Sequence, residues 1–414
     1  MQEGCIFMHF IDGGVCAPDG FTANGVLCKF KSSRTTYDLA MIYSEKLCTT
    51  AGLFTQNRVK AESVKLTKQH IADGVAQAVI ANSGNANCCT GAQGAANALR
   101  MAELCAKECG VKTEDVIVCQ TGVIGQQMDI KKVEDNVASL KAGLSKEGHE
   151  KARQAIMTTD TQYKECAVET EIGGKKVHIG AMCKGSGMIH INLGTMLSFM
   201  TTDCAISSQM LAKALKTSVA GTYNCVSIDG DTSTNDSLTI LANGMAGNAE
   251  IVSEGKDFDA FLEALNAINT QMAKKIAADG EGATKLVEVN VEGVKDVETA
   301  RGLAKAVICS NLTKAAMFGA DANWGRILCA MGYSGFEFTP EKTDVYFESG
   351  SPSEKIMVFE QGVPLNFDED LAKKILSEKE IKINVFCKDG NAKGTAWGCD
   401  LTYDYVKING DYRT

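Results

Sequence analysis

The stretch from Val75 to Cys119 constrains the fold more than any other. Val75 to Ala81 is a short apolar run that reads as a buried strand, and it stops at the polar turn Asn82-Ser-Gly-Asn-Ala-Asn87. Ala95 to Cys109 then has helical spacing, and Val116 to Cys119 reads as a second strand running directly into Thr121-Gly122-Val123-Ile124-Gly125. A strand, a loop, a helix and a strand in succession predict an α/β layer with polar loops at the strand ends.

The rest of the chain continues in the same style. Lys131 to Ser145 reads as an amphipathic surface helix, and Cys166 to Met182 as a hairpin turning at Gly173-Gly174. Gln209 to Ser218 reads as a helix capped by Ser207 or Ser208, and Leu238 to Leu241 as a strand. Phe258 to Ala278 carries the strongest helical pattern and stops at Asp279-Gly280. Beyond it come a strand at Leu286 to Val291, helices near Val297 to Cys309 and Asp368 to Ser377, and late strands around Gly390. Tyr405 to Thr414 alternates like an edge strand with a docked end. With no linker or short repeat, the expected division is 1–285 and 286–414.

A chain of 414 residues with 45% hydrophobic and 22% charged residues can bury sizeable cores without covalent staples. Its formal net charge of -9 argues against binding phosphate backbones, so no nucleic-acid partner is expected. No segment reaches about eighteen uninterrupted apolar residues, and the start lacks a basic n-region, so neither a membrane span nor a signal peptide is expected. The seventeen cysteines are odd in number and scattered through apolar stretches, as reduced thiols acting as small hydrophobes would be. A cytoplasmic location is expected. The cysteine spacings and the five isolated histidines do not suggest a metal site.

One pattern points to chemistry. Lys184-Gly185-Ser186-Gly187-Met188-Ile189 precedes Gly194-Thr195-Met196-Leu197, placing a threonine behind a small residue in mid-chain. A threonine hydroxyl is a weak nucleophile, and one route to activation is a free α-amine on the same residue, which requires the preceding peptide bond to be broken. That amine, with a reference pKa of about 7.7 to 8.0, can act as a base near neutral pH. In isolation, a Gly-Thr pair is more often a turn or a strand end. Thr121-Gly122 similarly reads either as a plain turn or as a hydroxyl and an N–H aimed at a developing oxyanion. No glycine-rich stretch has nucleotide-binding spacing, and Asp229 to Asp236 lacks the closing Glu of a calcium loop, so Asx and Ser/Thr turns account for it.

Taken together, the runs Ala17 to Phe21, Asp38 to Ser44, Asn57 to Lys60, Asn82 to Asn87, Thr121 to Gly125, Lys184 to Ile189, Thr195 to Leu197, Asp229 to Asp236, Asp279 to Lys285, Asn323 to Arg326 and Tyr405 to Thr414 resemble the ornithine acetyltransferase (ArgJ) family in order and over nearly the whole chain. The resemblance implies a four-layer α/β/β/α sandwich of the DmpA/ArgJ-like type with a smaller C-terminal α/β domain. It also implies self-cleavage at Gly194-Thr195 into an α chain 1–194 and a β chain from 195, assembled as an α2β2 heterotetramer. The implied reaction is ping-pong transfer of acetyl from N2-acetylornithine to glutamate, with acetyl-CoA as a second donor in some members and no other cofactor. Thr195 would be the nucleophile, Thr121 and Gly122 the oxyanion donors, and Thr158, Lys184, Thr195, Glu281, Asn409 and Thr414 the substrate contacts.

Two departures stand out. The family usually has Ala before the nucleophile and a Pro-Asn pair upstream, where this chain has His190-Ile191-Asn192-Leu193-Gly194. Glycine adds backbone freedom at the bond to be strained, so slower self-cleavage is expected. Ala320-Asp321-Ala322 also replaces the usual acidic residue and proline before Asn323-Trp-Gly-Arg326. The competing reading is a self-processing aminopeptidase or amidohydrolase of the same fold.

Overall fold

The computed structural model describes residues 8–190, 196–350 and 352–410. Among them, 8–185, 196–220 and 232–272 form one compact unit, and 186–190, 221–231, 273–350 and 352–410 form the other. In chain order the first unit supplies β1 (Met8–Ile11), β2 (Phe21–Val26), β3 (Leu39–Phe54), α1 (Glu62–His70), β4 (Val75–Asn82), α2 (Gly91–Cys109), β5 (Val116–Gln120), α3 (Lys131–Ala142), α4 (His149–Ala155), β6 (Lys164–Ile172), β7 (Lys175–Lys184), β8 (Leu197–Thr202), α5 (Ser208–Gly221), β9 (Ser237–Ala242) and most of α6 (Lys256–Ala278). Each of the strands read from the sequence here is present, and α2 begins one turn earlier than its apolar spacing suggested.

The strands run β1-β6-β7-β8-β9-β3-β4-β5, with β2 on β3. β3 bends where its register against β4 shifts between Tyr43 and Cys48, so its first half pairs with β2 and its second half with β9. That bend folds the sheet on itself. One buried cluster joins Val79, Ala81, Ile117 and Cys119 of β4 and β5 to Met182, Leu197 and Phe199 of β7 and β8, strands far apart along the path. The alternate residues Ala78, Ile80, Val116 and Val118 face outward against Met101, Cys105, Val133 and Val137 of α2 and α3, as a two-residue strand period dictates. β8 and β9 are buried at every residue, hence covered on both faces. On the far side, Phe258, Phe261, Leu265, Ile268 and Met272 form the apolar stripe of α6, and Asn269 Nδ2 donates to Ser218 Oγ of α5 at 2.8 Å. The result is the expected layering of helix, sheet, sheet and helix.

The second unit holds β10 (Leu286–Val294), α7 (Val297–Cys309), α8 (Asn311–Phe318), α9 (Trp324–Gly332), β11 (Asp344–Ser349), β12 (Glu354–Glu360), β13 (Val363–Pro364), α10 (Glu369–Leu376), β14 (Glu380–Phe386), β15 (Ala392–Cys399) and α11 (Tyr403–Gly410). Its sheet runs β13-β12-β11-β14-β10-β15, with β10 parallel to β14. Asp296, Ser310, Asn323 and Asp368 cap the first turns of α7, α8, α9 and α10 through their side chains.

The terminal stretch corrects the sequence reading. Residues 403–410 form a helix, not an edge strand, although no residue of α11 is buried. Local propensity is overridden at its two ends. Gly282 leaves room for the helix start, where an added Cβ would lie 2.7 Å from Tyr405 N, and Asn409 reaches Glu281 at the other end.

Candidate active site

The turn after β5 is built almost wholly from neutral amides. Gln120 ends a fully buried strand, and Thr121 N donates to Asn82 O at 3.0 Å, at the tip of the parallel neighbour β4. Gly122 has φ of 131°, and a Cβ there would lie 2.3 Å from the Gly84 carbonyl carbon, so only glycine fits. Around it, Gln120 Nε2 donates to Asn82 Oδ1 at 3.0 Å, and Asn87 Nδ2 to Gln120 Oε1 at 2.8 Å. Asn235 Nδ2 donates to both Ala86 O and Gln120 O, at 2.6 and 2.7 Å. These buried side chains lock the loop before the turn and the turn itself into one piece. The Thr121 hydroxyl makes no hydrogen bond among the described residues. A free hydroxyl beside a main chain held rigid is the arrangement an oxyanion requires.

Lys184 stands at the end of β7, paired in register with Leu197 at the start of β8. It is only 9% exposed, and its ammonium makes no hydrogen bond among the described residues. Such a cation has given up water without gaining a fixed protein partner, which suits it to an anionic ligand. Asp236, next to Asn235, lies within electrostatic reach of Lys184, but its Oδ2 is buried without a partner. Burial pushes that carboxyl well above the usual range, against the opposing pull of Ser233, Lys184, Thr55 and the Met196 main chain. It is therefore a neutral neighbour near pH 7, and the charge on Lys184 is left uncancelled by it. Thr158 lies in the loop before β6, its N–H donating to Asp160 Oδ2 at 3.1 Å.

In the second unit Glu281 is 7% exposed, and its Oε2 accepts from Asn409 Nδ2 of α11 at 2.7 Å. Its N–H donates to Ser186 O at 2.9 Å, and Ser186 Oγ donates to Asp279 O at 2.7 Å. Gly187 makes room for the carboxylate, since a Cβ there would sit 2.3 Å from Glu281 Cδ. Met188 N and Ile189 N both donate to Asp229, at 2.6 and 2.8 Å, which anchors the segment leading to the expected cleavage bond. Of the residues singled out in the sequence, the structure thus joins Glu281 to Asn409, and links Thr121-Gly122 to the neighbourhood of Lys184 through Asn235-Asp236. Gly194, Thr195 and Thr414 lie outside the described residues.

The sequence reading did not single out Gln120, Asn235, Asp236 or Asp160 as functional. The signal for the first three was available in the polar residues that flank buried strands on both sides of the turn. Asp229 to Asp236 does form the side-chain turns expected of it, with Asp231 N donating to Asp229 Oδ1 and Asn235 N to Ser233 Oγ.

The family model of the ArgJ family matches residues 22–414. The chain belongs to the ArgJ family. It is 49% identical over 407 residues to an arginine biosynthesis bifunctional protein ArgJ of Caldanaerobacter subterraneus subsp. tengcongensis, covering 98% of this chain and 100% of that relative. It is also 50% identical over 394 residues to ArgJ 1 of Clostridium acetobutylicum, covering 95% and 96% of the two chains. The crystal structure of the ArgJ protein from Bacillus halodurans is 46% identical and covers 52% of this chain and 99% of its own, with a TM-score of 0.49. Membership makes this an acyltransferase of arginine biosynthesis, as its motifs suggested, and the hydrolase alternative is not favoured. Among the described residues no helix is long and apolar enough to cross a membrane.

Proposed function

We propose that the chain moves the acetyl group of N2-acetyl-L-ornithine to L-glutamate through an acetyl ester on Thr195, which becomes an N-terminus when the Gly194-Thr195 bond is broken. The glutamate N-acetyltransferase activity follows from family membership. What supports the route is the locked turn after β5, which offers donors to a tetrahedral oxyanion.

In this route the Thr195 α-amine takes the hydroxyl proton as Oγ attacks the acetyl carbonyl, directly or through a water. Thr121 and the Gly122 N–H stabilise the oxyanion, which collapses as the proton passes to the departing ornithine nitrogen. The glutamate amine then attacks the ester by the reverse sequence, leaving N-acetylglutamate and free Thr195. Lys184 pairs with the α-carboxylate common to both amino acids, Glu281 with its Asn409 partner meets the ornithine side-chain amine, and Thr158 and Thr414 add polar contacts. Acetyl-CoA serves as a second acetyl source, and the processed chains assemble as α2β2 in the cytoplasm.

The test is the intact mass of purified protein after brief incubation with N2-acetylornithine, with Thr195→Ala as control. Two fragments divided at Gly194-Thr195, and an acetyl adduct on the Thr195 fragment that glutamate discharges, are expected. A single unlabelled chain from the unsubstituted protein would sink the acetyl-threonine route.

A further inference from the structure

Asp160 and Lys164 form a fully buried ion pair that the route above leaves without a task. Both side chains are 0% exposed and their charged atoms are 2.7 Å apart. Such a pair is weak evidence for stability, because desolvation consumes much of the Coulomb attraction. Its geometry points elsewhere. Asp160 Oδ1 accepts from Lys164 Nζ and from Gly185 N at 2.8 Å, while Oδ2 accepts from Thr158 N at 3.1 Å. One carboxylate thereby ties the loop carrying Thr158 to the main chain immediately after Lys184. Lys164 pairs with Cys183 across the β6–β7 ladder, so the two lysines flank the same carboxylate from neighbouring positions.

The charges around this corner are unequal. Asp160 attracts both Lys184 and Lys164, and Arg34 lies within electrostatic reach, its guanidinium donating to Met157 O and Tyr37 O and facing Asp38 as well. Burial would raise the Asp160 carboxyl, but the two ammonium groups and the Gly185 N–H more than offset it, bringing it down to about 2. One carboxylate between two ammonium groups leaves a single positive charge, matched to a monoanion.

We propose that Asp160 is a positioning residue for donor recognition, held in place by Lys164 and clamping the main chain at Thr158 and Gly185 so that the Lys184 ammonium meets the substrate α-carboxylate. This rests on the reading of Lys184 as the carboxylate contact. The consequence is selectivity: the clamp matters for an acetyl donor that carries a carboxylate and not for one that lacks it.

The experiment compares two acetyl donors, N2-acetylornithine and the carboxylate-free ester 4-nitrophenyl acetate, in the full processed enzyme. The variants are Lys184→Met and the charge-neutral pair Asp160→Asn with Lys164→Met. For the neutral pair, kcat/KM with N2-acetylornithine is expected to fall about tenfold or more, mainly through KM, as loss of hydrogen bonds to a charged group implies. Turnover of 4-nitrophenyl acetate stays within about twofold of the unsubstituted enzyme. Equal losses on both donors would reduce the pair to a structural role, and an unchanged KM for N2-acetylornithine would remove the clamp. If Lys184→Met is selective and the neutral pair is not, only the Asp160 proposal falls. If Lys184→Met shows no donor selectivity, the reading beneath it falls and takes the proposal with it. Should the neutral pair not accumulate as folded protein, Asp160→Glu, which keeps the charge and shifts the carboxylate by one methylene, carries the same expectations.

Discussion

The turn after β5 and the corner at the end of β7 lie in the same unit but are made rigid by opposite chemistry. Around Thr121 and Gly122 every fixing contact is a neutral amide, from Asn82, Asn87, Gln120 and Asn235. Around Lys184 the fixing group is a carboxylate between buried cations. Neutral hydrogen bonds hold geometry without a dependence on pH or salt, which suits a site where charge appears only in the transition state. A buried charge pair holds geometry and also carries a net sign, which suits a site that selects a charged substrate. The difference teaches that the chain separates the stabilisation of transient charge from the recognition of permanent charge.

The largest expected effect tests the neutral side. Gly122→Ala sets a side chain at a φ of 131° and against Gly84, so the turn must shift. A fall of about 10² to 10³ in kcat is expected, the usual loss for one oxyanion donor. Single-turnover acetylation rates measure it, and a variant that loses only thermal stability would break the comparison. Asn235→Ala should have a smaller effect. It strips Gln120 O and Ala86 O of their donor in a buried place, a destabilisation of about 1–3 kcal/mol. Thermal melting and kcat should fall together while KM for N2-acetylornithine stays level; a change confined to KM would mean that the network serves binding.

The smallest effects are in pH. Asp160 has a folded pKa of about 2, below the unfolded value of about 3.9. Its contribution is present above the unfolded value and is lost as pH falls through the folded one, so the stability of the unsubstituted protein should rise between about pH 2 and 4 for this group. Asp236 is displaced the other way, since burial raises its folded pKa and the folded protein keeps a proton that the unfolded chain releases. Its contribution is therefore fullest below about pH 4 and diminishes as pH rises. Denaturant melts from pH 3 to 8 should show Asp236→Asn gaining on the unsubstituted protein as pH rises. A constant difference between the two would show that Asp236 is not held neutral.

Much of the first unit was legible because its pattern is strong. The stripe from Phe258 to Met272 repeats every three to four residues, and the runs at Val75 and Val116 are too apolar to be anything but buried. The bend in β3 was not, since its residues read as one strand and only pairing with two different partners reveals the turn. Helices α8 and α9 went unread because they are short, although Ser310 and Asn323 stood at their starts as caps. For α11 the alternation of Tyr405, Lys407 and Asn409 suggested a strand, and the contacts that make it a helix, at Gly282 and Glu281, come from more than a hundred residues away.

The same division applies to the site. Motif order alone determined the family, the acyl-transfer chemistry and which residue types to watch, because nucleophile, hydroxyl and glycine each leave a local mark. Tertiary structure alone decided that Asn235 clamps the turn after β5, that Asp236 is neutral beside Lys184, and that Asp160 ties Thr158 to Gly185. Hydrogen bonds and desolvation act through space between residues remote in the chain, and no spacing rule along a sequence encodes how far apart two side chains lie once it has folded.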